Sequence, residues 1–304
     1  MSELRRHLDD YLRLRRALGF KLRFPGQVLP SLAGYLEAAG AATVTTELVV
    51  AWAGQPCGVQ PIVWSHRLGA ARGFARYLKT IDPATEIPPA GIWPTTAPRR
   101  RPYIWAEADI GRLLEAARML RPPLRAAAYE TLLGLIAATG MRLGEAIGLD
   151  RADTDLDGGV LTIRDAKFGR SRLVPLHHTV TCALAGYATL RDQLSPHPAT
   201  TRFFVSTAGT ALCARLADQT FAQLTTALGL WTAGCRPRIH DLRHTFAVRQ
   251  LIGWHQAGGD VNAKLPVLSA YLGHVSPAGT YWYLTAVPEL MELAAARLAP
   301  GGPR

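Results

Sequence analysis

Cysteine is scarce in this chain and never closely paired: Cys57, Cys182, Cys213 and Cys235 lie far apart, with no CxxC. That spacing argues against a structural zinc site and fits reduced thiols in a cytoplasm. A long apolar run is also missing. The longest, around Leu132–Met141, is too short and too glycine-punctuated to span a bilayer. The opening MSELRRHLDDYLRLRR has no apolar core of a secretory signal, so a cytoplasmic protein without a membrane partner is expected. Neither a Walker A phosphate loop nor a GxSxG elbow is present. Acidic residues run short as well: 23 Asp and Glu against 34 Lys and Arg leave a formal charge of +11. An imbalance of that sign suggests a polyanionic partner, nucleic acid before membrane, although a merely arginine-rich protein would show the same balance.

What is present is a globular chain long enough for two domains, with 48% hydrophobic residues to build their cores. Leu4, Leu8, Tyr11, Leu12 and Leu18 recur at helical spacing, with Arg5, Arg6, Arg13, Arg15 and Arg16 on the remaining surface. Further helices are predicted over Val28–Ala39, from Thr46 as N-cap with Glu47 in the first turn, and over Val63–Leu78, which carries Arg67, Arg72, Arg76 and Lys79. Residues 1–82 thus read as a basic all-helical domain. From Pro83 to Pro102 six prolines surround Arg99, Arg100 and Arg101. Proline stops a helix, so 83–102 reads as an extended linker, either a solvated hinge or an arm along a nucleic-acid backbone.

The second domain, 103–304, opens with helices over Ala106–Leu120 and Leu124–Ala138, a break at Thr139-Gly140, and a helix restarting at Arg142. GVLTIRDAKFGRSRLVPL then switches to β character: Val160–Ile163 and Arg172–Leu176 about a turn at Phe168-Gly169-Arg170. Helices resume at Thr179–Gln193, Ala217–Leu228 and from His240. The fold class is mostly α with a small antiparallel hairpin.

Five local features are more polar than a core requires. In TGMRLGE, Arg142 follows a helix break, where free N–H groups and a guanidinium suit an anion; an Arg142–Glu145 surface pair is the plainer reading. Lys167 stands near the hairpin tip, either solvated or reaching a cleft as a proton donor. In HDLRHTF, His240, Arg243 and His244 fall along one helical stripe, opposite Leu242, Phe246 and Leu251. YLGH supplies His274, and TYWYLT supplies Tyr281 and Tyr283; alone, these would be a capping histidine and packing aromatics.

Two metal readings fail on their own residues. DTDLDG, Asp153–Gly158, begins like a calcium loop, but Arg164 stands where the bidentate Glu belongs. His240 and His244 have zincin spacing, but Asp241 follows the first histidine where Glu is required, and Arg243 would sit beside the metal.

Taken in order, an Arg after a helix break, a hairpin Lys, HxxR, an LGH histidine and a Tyr nine residues later resemble the tyrosine recombinase, or phage-integrase-like, family. The likeness runs from about Tyr103 to Leu293. It implies a helical core-binding (SAM-like) first domain and an α+β catalytic domain. It also implies the roles: Arg142 and Arg243 as the phosphate-binding arginines, Lys167 as the proton donor, His240 and His274 as the family histidines, Tyr283 as nucleophile, and Glu145 and His244 as support behind them. Arg72, Arg76, Arg99, Arg100, Arg101 and Arg170 are candidate contacts to the DNA backbone. Double-stranded DNA is the implied substrate, homo-oligomers from dimer to tetramer the implied assembly, and accessory recombinases candidate further partners. No cofactor is expected, because a covalent intermediate conserves the bond energy and fixed cations supply the charge. A type IB-like topoisomerase, or a non-catalytic DNA-binding regulator on the same fold, is the alternative, with a His240–His244–His274 metal hydrolase behind them.

Overall fold

The computed structural model describes residues 2–41, 43–96, 100–164, 171–232 and 234–273. The chain divides into two compact units, Met1–Arg100 and Arg101–Arg304. Among the described residues no helix is long and apolar enough to cross a membrane.

The first unit is built of α1 (Glu3–Ala17), α2 (Arg23–Ala38), α3 (Thr46–Gly54) and α4 (Pro61–Leu78). Ser2 caps α1, and Glu3 at its start and Arg15 and Arg16 at its end complement the helix dipole. Leu8, Tyr11 and Leu12 of α1 meet Leu29, Leu32 and Leu36 of α2 and Phe74 of α4 around a fully buried Trp52. Helix α2 begins earlier than the apolar spacing predicts, because Pro25 lies in its first turn, where no partner for an N–H is required. Thr45, not Thr46, caps α3.

Part of the proline-rich stretch belongs to this unit. Glu86 donates its N–H to the Val44 carbonyl at 2.8 Å and accepts from the Thr46 N–H at 2.7 Å. Lys79 donates to the Thr85 carbonyl, Arg72 to the Pro88 carbonyl, and the Trp93 ring leans on Trp64. Proline prevents helix here, but it leaves carbonyls that neighbouring cations can take. The segment from Pro83 to Trp93 is therefore a strap on the helical unit rather than open linker.

The second unit comprises α5 (Glu107–Arg118), α6 (Pro123–Thr139), α7 (Leu143–Ile147), β1 (Thr154–Asp155), β2 (Val160–Ile163), β3 (Arg172–Pro175), α8 (His178–Leu194), α9 (Ala214–Ala227), α10 (Ile239–Gln256) and α11 (Val261–Leu272). Helix α6 is apolar nearly all round and is the buried axis, packed by α5, α8 and α10. Trp105, Leu132, Leu133, Ile136, Phe203, Phe204 and Phe221 fill the core. The sheet is antiparallel in order β1-β2-β3, with Ile163 opposite Arg172 and the buried Leu161 opposite Val174. The polar DTDLDG turn links β1 to β2, closed by the Gly158 N–H on Asp155.

Helix α11 has no counterpart in the sequence reading. Its signals are local: Asp260 accepts from the Ala263 N–H as N-cap, and Leu265, Leu268 and Leu272 face Val248 and Leu251 of α10. Pro266 inside the helix masks the pattern.

Candidate active site

Helix α6 ends because Gly140 takes a left-handed conformation, φ +64°, turning the chain so that Arg142 becomes the N-cap of α7. A side chain at Gly140 would also be crowded: a Cβ would lie 2.6 Å from Phe246 and 2.9 Å from Leu272, which would have to shift.

Glu145, three residues on, accepts the Arg142 backbone N–H at 3.0 Å and its Nη1 at 2.7 Å. This is the pair that the i,i+3 spacing allows, but it is no surface pair, because the Glu145 side chain is only 10% exposed. Arg172, the first residue of β3, donates to the same carboxylate through Nη1 at 3.1 Å and Nη2 at 2.7 Å. Burial alone would raise the Glu145 carboxyl; the hydrogen bonds from Arg172 and Arg142 overcome it and hold its pKa at about 2. Both arginines also reach the end of α11. Arg142 Nη2 donates to the Gly273 carbonyl at 2.9 Å and Arg172 Nε to the Tyr271 carbonyl at 2.9 Å.

Helix α10 brings the second arginine. Asp241 caps its start, accepting the Arg238 N–H at 2.8 Å. Arg243 is 1% exposed, and its Nη1 and Nη2 donate to the Gly140 carbonyl at 2.7 Å and the Leu272 carbonyl at 2.8 Å. Of the predicted polar stripe, Arg243 and His244 are buried, together with Asp241, Leu242 and Thr245, while His240 is exposed. Phe246 is only partly buried, against the small α10–α11 core.

His240 is exposed to solvent on one side, while His244, 7% exposed, presses on it edge-to-face with ring centroids 4.7 Å apart. Desolvation by the surrounding protein, with the Arg243 charge second and Arg142 contributing, lowers the His240 pKa to about 4. An imidazole so placed is neutral at pH 7 and can donate or accept a hydrogen bond. Among the described residues no three His, Cys, Asp or Glu side chains converge in a way that could hold a metal ion.

The structure therefore gathers Arg142, Glu145, His240, Arg243 and His244 around the C-terminal ends of α6 and α11. Lys167, Arg170, His274, Tyr283 and Arg99 lie outside the described residues. Arg76, Arg100 and Arg101 are exposed, whereas Arg72 is partly buried and donates to the Pro88 carbonyl. Arg172 is not among the site residues that the sequence suggests, where it marks only the start of a strand. An arginine opening a strand, in reach of a glutamate in a preceding helix, was the signal, but 27 residues separate the two.

One further tie steadies α10. The Trp105 N–H donates to Thr245 Oγ1 at 2.9 Å, and Arg249 Nη2 donates to the Trp105 carbonyl at 3.0 Å.

Comparison with known proteins gives this geometry its context. The family model described as the phage integrase family matches residues 106–289. The chain is 45% identical over 306 aligned residues to a putative integrase/recombinase, y4rB, of Sinorhizobium fredii, covering 98% of both chains. It is 33% identical over 234 residues to the tyrosine recombinase XerD of Mycobacterium tuberculosis, covering 75% of this chain and 68% of that relative. Among solved structures, the integrase of the transposon Tn1549, in complex with transposon right end DNA, matches 97% of this chain and 99% of its own with a TM-score of 0.63. At 16% identity that likeness shows the fold alone.

Proposed function

This chain belongs to the phage integrase family, and we propose that it is a site-specific recombinase that breaks and rejoins double-stranded DNA through Tyr283. The observation that carries this reading is the Arg142–Arg243 arrangement. Two guanidinium groups are brought together where α6 and α11 end, held in place in part by the Gly273, Gly140 and Leu272 carbonyls, an arrangement that suits an anion.

In the proposed reaction the Tyr283 phenol oxygen attacks the scissile phosphorus. A 3′-phosphotyrosyl bond forms, and the 5′-oxygen leaves, taking its proton from Lys167. Arg142 and Arg243 hold the nonbridging oxygens as negative charge builds. Each such preorganised donor is typically worth about 2.7–4 kcal/mol. The neutral imidazole of His240, with His274, donates to the phosphate or takes the phenol proton. The freed 5′-hydroxyl of the exchanged strand reverses the sequence, so no energy source is consumed. Glu145 and His244 hold Arg142 and His240 in place.

The same reading extends to the assembly. The tetramer of lambda integrase on a Holliday junction and its dimer on a core site suit a chain that joins two DNA sites, and we expect two to four copies here. The basic first unit and Arg100 and Arg101 supply sequence-independent phosphate contacts, so affinity falls steeply with salt. Working on DNA without a membrane-crossing helix among its described residues suits a cytoplasmic enzyme.

The test uses a nicked suicide duplex built on the sequence that the wild-type chain selects from a randomised pool. The wild type should form a covalent protein–DNA adduct and Tyr283→Phe should not. An adduct that persists in Tyr283→Phe removes this tyrosine from the role, with Tyr281 next to test. Relaxation of plasmids lacking the selected site, without strand exchange, would favour a topoisomerase instead.

A further inference from the structure

The Glu145 carboxylate is saturated. Each oxygen accepts two hydrogen bonds: Oε1 from Arg142 Nη1 and Arg172 Nη1, Oε2 from the Arg142 N–H and Arg172 Nη2. A carboxylate offers about four lone-pair sites, so Arg172 occupies half of them. Two consequences follow from elementary electrostatics.

The first concerns geometry. Arginine and carboxylate prefer a bidentate, parallel pair. Arg172 makes that pair with Glu145, while Arg142 makes a single side-chain contact and spends another N–H on the Gly273 carbonyl. Remove Arg172, and Glu145 is open to close bidentately on Arg142, turning its fork away from an incoming phosphate. The second concerns charge. Two guanidinium groups against one carboxylate leave an excess of one positive charge; Arg142 and Glu145 alone would cancel.

The surroundings are shaped for this second arginine. Gly273 has φ +69°, and a Cβ there would lie 2.7 Å from Arg172 Nη1 and 3.3 Å from Arg142 Nη1. The Arg172 side chain is 13% exposed and its Nε is anchored on the Tyr271 carbonyl, so it has little freedom to do anything else.

We propose that Arg172 is a positioning residue for strand cleavage: by engaging Glu145 it keeps the Arg142 fork open and the cluster one positive charge in excess. It acts through Arg142 and touches no reacting atom. The inference rests on the recombinase reading above, because it presumes that Arg142 serves a scissile phosphate.

The full-length chain is assayed on the same nicked suicide duplex, reading adduct formation at saturating DNA separately from DNA affinity. Arg172→Gln should slow adduct formation about 100-fold while affinity stays within about threefold. Adding Glu145→Gln to that variant removes the competing carboxylate and restores the charge excess. The double variant should therefore recover at least about tenfold over Arg172→Gln. A merely structural arginine predicts the opposite, a double variant no better than the single. Should Arg172→Gln fail to fold, Arg172→Lys carries the test, since it keeps the charge with one contact. It should fold and form adduct within about tenfold of wild type. The proposal is overturned if Arg172→Gln reacts at the wild-type rate, if the double variant gains nothing, or if folded Arg172→Lys is as inert as Tyr283→Phe. A wild-type chain that forms no adduct, or a Tyr283→Phe chain that does, strikes the recombinase reading first and this inference with it.

Discussion

Arg243 Nη2 donates to the Leu272 carbonyl at 2.8 Å, and this contact joins the first turns of α10 to the last residue of α11. The other nitrogen of the fork holds the Gly140 carbonyl at the end of α6. A planar guanidinium spans two carbonyls in different directions; an ammonium does not. Arg243→Lys should therefore lower the unfolding free energy by about 2 kcal/mol, the cost of hydrogen bonds lost from a charged buried group. Adduct formation should fall at least about 100-fold. Denaturant unfolding of the full chain checks the first figure, and a midpoint equal to wild type would show that the fork does not join the helices.

Gly140 and Gly229 both have left-handed backbones, φ +64° and +70°, but only Gly140 is crowded. Gly229→Ala meets nothing within 4 Å and should cost only the backbone penalty, about 1 kcal/mol. Gly140→Ala must in addition displace Phe246 and Leu272, for about 2 kcal/mol more. Thermal melts of the two variants side by side separate the terms, and equal shifts would refute the crowding argument.

His240 should titrate near pH 4 in the DNA-free chain, well below the ordinary histidine value of 6.5. A depressed native pKa means that the neutral ring favours the fold above pH 6.5 and that this contribution is lost as the pH falls toward 4. Ring-carbon NMR shifts give the midpoint directly. His240→Gln should also lose less stability than wild type between those two pH values. A midpoint at or above 6.5 would contradict the desolvation assigned to the ring.

Thr245→Val keeps the shape of a buried side chain but removes the acceptor of the Trp105 N–H. A buried donor left without a partner costs about 1–3 kcal/mol. Loss of α10 support should show as a lower melting temperature, with DNA affinity little changed because the residue is buried and uncharged. An unshifted melting temperature would mean that the chain around Trp105 finds another acceptor.

The parts of this molecule that repeat locally were legible in its sequence. The helices of the first unit, α5, α6 and the β2–β3 hairpin follow from apolar spacing and turn residues, with shifted ends at Arg23 and Pro61 where prolines disguise first turns. The HxxRH stripe was legible as a unit on one helix. The burial of Arg243 was not, because its partners are carbonyls 103 and 29 residues away, and no local pattern encodes them. Arg172 escaped notice for the same reason, since what distinguishes it is the carboxylate it shares with Arg142. Helix α11 escaped for a local reason, the proline inside it. The strap from Pro83 to Trp93 was hidden because its partners, Arg72, Lys79 and Val44, announce nothing until the helices are in place.

The Gly140 and Leu272 carbonyls are the orphan acceptors that any helix leaves at its C-terminal end, and one guanidinium from a third helix serves both. Arg243 is therefore a C-terminal cap shared by α6 and α11. Two helix ends share one side chain, so fraying of either disturbs a cap of the other. The slowest-exchanging amides of α6, α10 and α11 should then open together, as a single cooperative block, with the candidate phosphate site at its centre.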